Sequence, residues 1–96
     1  MATKNQTNES RYREIIARQG YEWENCRVLV FGFKTEADAK AFHYETLSGS
    51  FPEHLIFDMV GRLVTVVVPE KRGICEKYEA MAAQYGGEPR PFNTLR

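Results

Sequence analysis

His54-Leu55-Ile56-Phe57-Asp58-Met59-Val60-Gly61-Arg62-Leu63-Val64-Thr65-Val66-Val67-Val68 is the stretch whose reading decides the fold. Two runs rich in β-branched and aromatic residues flank Gly61-Arg62. A glycine in the first of two linking positions is the signature of a type II′ hairpin turn, where that position takes a positive φ. This turn sets Val60 opposite Leu63, Asp58 opposite Thr65 and Phe57 opposite Val66. Cross-strand partners share a face, so one side carries Leu55, Phe57, Met59, Val64, Val66 and Val68 and belongs to a core. The other side carries Ile56, Asp58, Val60, Leu63, Thr65 and Val67, a mixed set suited to a half-covered surface.

Upstream, Tyr21 to Phe33 holds a strand centred on Arg27-Val28-Leu29-Val30-Phe31-Gly32-Phe33. It is apolar on both sides, with Val28 and Val30 pointing one way and Leu29, Phe31 and Phe33 the other, the pattern of a central strand. Thr35 then opens a helix over 36–47, since Thr-Glu-Ala-Asp is a capping-box variant; Ala37, Ala41 and Tyr44, with Ala39 and Phe42, form its apolar stripe. Ser48 to Pro52 reads as a loop. Downstream, Pro69 ends the hairpin, and Ile74, Tyr78, Met81 and Tyr85 recur at helical spacing within a second helix over 70–85 that Gly86-Gly87 stops. The prolines at 89 and 91 restrict the tail to an edge strand or an irregular closing segment.

At the other end, Ser10 caps a helix over 10–19 that carries Tyr12, Ile15, Ile16 and Gln19, and Gly20 ends it. Residues 1–9 are polar and read as a disordered arm. The remainder, 10–96, reads as one domain of α+β class. Its elements run β-α-β-β-α-β, the ferredoxin-like antiparallel arrangement, with an extra N-terminal helix and with helices 36–47 and 70–85 on one face. The expected core holds Val28 or Leu29, Phe31, Phe42, Leu55, Phe57, Val64, Val66, Ile74, Tyr78 and Met81. On this reading Phe57→Ala costs about 3–5 kcal/mol.

The chain has 96 residues, 43% hydrophobic and 27% charged, enough for a single modest core. Its 13 basic and 13 acidic residues cancel, so no net charge drives it toward nucleic acid or anionic lipid. No apolar run approaches the length of a membrane span, and the start lacks the apolar segment of a secretory signal, which places the protein in the cytoplasm. Cys26 and Cys75 belong to no C-x-x-C pair and read as reduced, partly buried thiols.

Reactive patterns are sparse. His43 and His54 fit no zinc spacing, Ser48 and Ser50 lack the strand-turn-helix context of a nucleophile elbow, and no phosphate-binding glycine loop occurs. No cofactor or metal is expected. Glu70-Lys71-Arg72-Gly73, at the start of the second long helix, reads as a solvated first turn. Val28 to Phe33 resembles the first contact strand of an RNA-recognition domain, yet the third strand, Arg62 to Val68, offers no aromatic ring for stacking a base.

Glu76-Lys77-Tyr78-Glu79-Ala80-Met81-Ala82-Ala83-Gln84-Tyr85-Gly86-Gly87-Glu88 resembles the last helix of the type B regulators of ribonuclease E activity, which ends in a Tyr-Gly-Gly turn before a closing strand. That family implies a ferredoxin-like, non-enzymatic protein inhibitor. The match covers about 13 of the 96 residues. Pro89-Arg90-Pro91-Phe92 stands where the family has an aromatic Tyr-Asp-Gly-Trp ending, the family's strong acidity is absent, and no functional residue carries over.

These readings lead to a small non-catalytic protein-binding module, an inhibitor or adaptor of a larger protein. Its partner-binding face is Ile56, Asp58, Val60, Leu63, Thr65 and Val67. Because that face carries too much apolar area for a monomer to expose, a homodimer through it is expected, with the helix bearing Tyr12, Ile15 and Ile16 as the other possible cover. The alternative is a small enzyme of the dimeric ferredoxin-like kind, with Asp58 and His54 beside a pocket between sheet and helices. An RNA-binding module is a second alternative.

Overall fold

A computed structural model describes residues 8–48 and 53–92. The alternating apolar runs form β1 (Cys26–Gly32), β2 (Ile56–Val60) and β3 (Leu63–Pro69). Gly61 has φ 61 while Arg62 stays at negative φ, so the turn between β2 and β3 is type II′. The register is the one the turn dictates, with Val60 opposite Leu63, Asp58 opposite Thr65 and Phe57 opposite Val66. β3 pairs antiparallel with β1, Leu29 facing Val66 and Val30 facing Thr65. The free edge of β1 takes β4 (Glu88–Arg90), with Val30 opposite Arg90 and Gly32 opposite Glu88. The four-stranded antiparallel sheet runs β2-β3-β1-β4. Pro89 falls on the edge strand, where its missing N–H can face away from the ladder.

α2 (Glu36–Ser48) links β1 to β2 and α3 (Ile74–Gln84) links β3 to β4. The Thr35 hydroxyl caps α2 by accepting the Asp38 N–H at 3.1 Å. α3 ends in a Schellman turn, the Gly87 N–H reaching the Ala82 carbonyl at 2.9 Å and the Gly86 N–H reaching Ala83 at 3.1 Å, with Gly86 at φ 82. Both helices pack on one face of the sheet, where Phe31, Phe33, Val64 and Val66 meet Phe42, Ile74 and Tyr78. Phe42 is the hub, its ring centre 5.7 Å from Phe31, 5.4 Å from Phe33 and 5.7 Å from Phe57.

The opposite face is covered by α1 (Asn8–Arg18), whose Tyr12 and Ile16 are buried against Ile56 and Val67. Trp23, in a short 3₁₀ turn at Trp23–Asn25, and Phe92 close its sides. Gly20 at φ 87 ends the helix in a second Schellman turn, the Tyr21 N–H bonding the Ile16 carbonyl at 3.1 Å.

Several sequence expectations are corrected. α1 starts at Asn8, inside the segment read as an arm; residues 1–7, 49–52 and 93–96 lie outside the described residues. The first strand starts at Cys26, because Trp23–Asn25 forms the 3₁₀ turn. α3 starts at Ile74, four residues later than expected, because Gly73 has φ 80 and a left-handed residue cannot lie inside the helix. In α2 the inward stripe is Ala39, Phe42 and Thr46, whereas Ala37 is exposed and Tyr44 is 73% exposed. Leu55 sits with Ile56 on the α1 side, not with Phe57. Its N–H donates at 2.7 Å to the carbonyl of Val67, the residue registered opposite Ile56, so two residues oppose one and the alternation slips as in a bulge. The homodimer expectation rested on an uncovered face; α1 covers the Ile56–Val67 end of that face and leaves Val60 and Leu63 exposed.

Phe57 is half-buried where Phe42 is fully buried. Urea titrations are therefore expected to show Phe42→Ala costing about 3–5 kcal/mol and Phe57→Ala distinctly less. Light scattering of the intact chain is expected to return a single mass of 11.1 kDa. Removal of residues 1–19, which bares Ile56 and Val67, is expected to produce larger species.

Candidate functional site

On the α1 side the strand register lays side chains in three rows. Ile56, Val67 and Val28 form the first, Asp58, Thr65, Val30 and Arg90 the second, and Val60, Leu63, Gly32 and Glu88 the third. The six residues expected to bind a partner therefore lie together on one face but differ in accessibility. Ile56 and Val67 are buried under α1, while Val60 is 71% and Leu63 46% exposed.

Asp58, in the middle row, is engaged by α1. The Tyr12 hydroxyl donates to Asp58 Oδ2 at 2.6 Å, and Arg11 Nη2 stands 3.6 Å from the same oxygen. Burial first, and then this bond to a carboxylate, push the Tyr12 hydroxyl up to about 12, with Thr65 and Arg11 acting the other way. A carboxylate committed in this way holds a helix.

His54 lies elsewhere. Its Nδ1 is 3.0 Å from the Tyr78 hydroxyl, which already accepts the Glu53 N–H at 2.9 Å. The phenol proton is thus free to point at Nδ1, an arrangement that suits the neutral imidazole with its proton on Nε2. Phe57 packs between the two histidines, stacked on His43 at 4.1 Å and tilted against His54 at 5.4 Å. Burial, and then the proximity of His43, lower the His54 pKa from its ordinary 6.5. The structure does not bring Asp58 and His54 together at one wall. Among the described residues no group of three or more His, Cys, Asp or Glu side chains is placed to hold a metal ion.

The third row is the open one. Val60, Leu63, Gly32, Phe33, Arg62 and Arg90 line a depression of about 350 Å³ at this end of the sheet. Arg90 was not foreseen as part of it. Its guanidinium lies across Gly32, so close that a Cβ there would sit 2.8 Å from Nε and 3.0 Å from Nη2. The available signal was the glycine itself, since a glycine inside a strand marks a close approach to the backbone. Arg62 Nη1 donates to the Lys34 carbonyl at 3.3 Å.

A second depression, lined by Arg27, Lys71, Arg72, Gly73 and neighbouring acids, precedes α3. There Glu70 pairs with Arg27 at 3.4 Å. The segment read as a first helical turn is thus the approach to the helix. Cys26 and Cys75 are free and half-buried, and burial raises both thiols, which favours their protonated form. No helix among the described residues is long and apolar enough to cross a membrane. No family model, curated protein or solved structure matches the chain.

A histidine whose folded pKa is lowered resists a proton that the unfolded chain accepts. Its contribution to stability is therefore intact above pH 6.5 and is lost as the pH falls below it. Urea midpoints are expected to drop between pH 7.5 and 5, and to drop less in His54→Gln. An identical pH profile for the two proteins would assign the loss to other groups.

Proposed function

We propose that this chain is a small non-catalytic protein-binding module, acting in the cytoplasm as an inhibitor or adaptor of a larger protein and docking through the open end of its sheet. The observation that carries the reading is the uneven cover over one face. α1 seals the Ile56–Val67 row and engages Asp58, but leaves Val60 and Leu63 exposed as neighbours beside a depression. Adjacent exposed apolar side chains on a rigid hairpin present a fixed contact that costs little side-chain entropy on binding.

The fold we assign is ferredoxin-like with an added helix, supported by the strand order β2-β3-β1-β4 and by α2 and α3 sharing one face. α3 runs through Tyr85-Gly86-Gly87 into β4, the segment whose sequence resembles the last helix and turn of the type B regulators of ribonuclease E activity. That resemblance is in keeping with an inhibitor. Asp58 is engaged by α1 while His54 packs against Tyr78 and Phe57, which leaves the enzymatic reading without a shared site.

The test compares immobilised wild-type chain with Leu63→Asp, whose side chain is exposed and whose fold should persist, as checked by circular dichroism. A protein retained at near-stoichiometric yield by wild type and lost on Leu63→Asp is the expected result. Equal retention on both columns would remove the docking end from the reading.

A further inference from the structure

We propose that the open end of the sheet recognises an acidic, apolar segment of a partner protein, in which a carboxylate side chain lies next to a hydrophobic one. Arg62 and Arg90 receive the carboxylate, and Val60 and Leu63 receive the hydrophobic side chain. The inference rests on the docking reading above and adds the partner's chemistry.

Charge complementarity carries it. The lining of the depression holds two arginines and no acidic residue. Four other arginines are paired, Arg11 with Asp58, Arg13 with Glu9, Arg18 with Glu14 and Arg27 with Glu70, while among the described residues Arg72, beside Glu70 and Glu76 in the second depression, is not. Among the described residues neither Arg62 nor Arg90 has a carboxylate within ion-pair distance. Arg62 gives one N–H to a neutral carbonyl. Two acids stand just outside the lining, Glu88 registered opposite Gly32 and Glu36 beside Gly61.

β4 sets Arg90 opposite Val30, and its side chain runs diagonally over Gly32, whose missing Cβ leaves room for it. The planar fork of a guanidinium suits a carboxylate in two-point contact. A free anion would use the arginines alone. Val60 and Leu63 beside them fit a chain that brings an apolar side chain with its acid.

The test is selection of random displayed peptides on the intact protein, followed by binding of each winner, as a synthetic peptide, to wild type, Leu63→Asp, Arg62→Glu and Arg90→Glu. Expected winners place Asp or Glu within two residues of Leu, Ile or Phe. They should weaken with added salt and lose about tenfold or more in affinity on either arginine reversal. Should Arg90→Glu disturb the fold, Arg62→Glu, at an exposed turn position, still decides. Winners lost on Leu63→Asp but indifferent to both arginine reversals would overturn the acidic inference and leave the docking reading standing. Winners indifferent to all three substitutions, or no winners at all, would overturn both.

Discussion

Within the seven residues of β3, Val64, Val66 and Val68 point to one side and Val67 to the other, and all four are fully buried. Each contributes about 1.5–3 kcal/mol only while water is kept from it. A strand apolar on both sides is stable only between two covering layers. The helices that link the strands fall on one face, so the other needs a cover from outside the repeating unit. That requirement explains why α1 precedes the sheet and why Ile16 and Tyr12 are as buried as any core residue.

α1 has 11 residues, so it is about 16 Å long and marginal on its own in water. It gains order by docking, and the docking has a polar register mark. Asp58, its side chain 32% exposed, is met from the helix by Tyr12 and Arg11. Sliding α1 by one turn would break both polar contacts as well as the burial of Tyr12 and Ile16. Asp58, which in sequence resembles a tuned catalytic acid, thus helps to specify where the helix sits.

What was legible in the sequence follows from how local each signal is. The hairpin register was readable because a two-residue turn with glycine first leaves one pairing, and strict alternation then assigns every face. The start of α3 was obscured because Glu70-Lys71-Arg72 are good helix formers, and only the left-handed Gly73 shows that the helix has not begun. α2 misled because alanines occur all around it, so the inward stripe is decided by Phe42 finding the aromatic side chains of the sheet. Leu55 escaped because a bulge shifts alternation without marking composition. At the candidate site Val60 and Leu63 were legible from the turn. Arg90 was not, because its place over Gly32 depends on a strand 56 residues further on than that glycine, paired by tertiary structure alone.

The unevenness of the cover is a geometric consequence of these parts. The rows lie about 7 Å apart along the strands, and α1 sets its buried side chains, Ile16 and Tyr12, over the first and second of them. The end it covers is chosen by Ile56 and Val67, which carry the apolar area, and Asp58, bonded by Tyr12, lies at its limit. Beyond that limit the chain has placed a glycine, an arginine lying over it and two exposed aliphatic side chains, rather than the small polar residues that would have closed the sheet harmlessly. The exposed surface is therefore what a short helix, docked by Ile16 and Tyr12, leaves open.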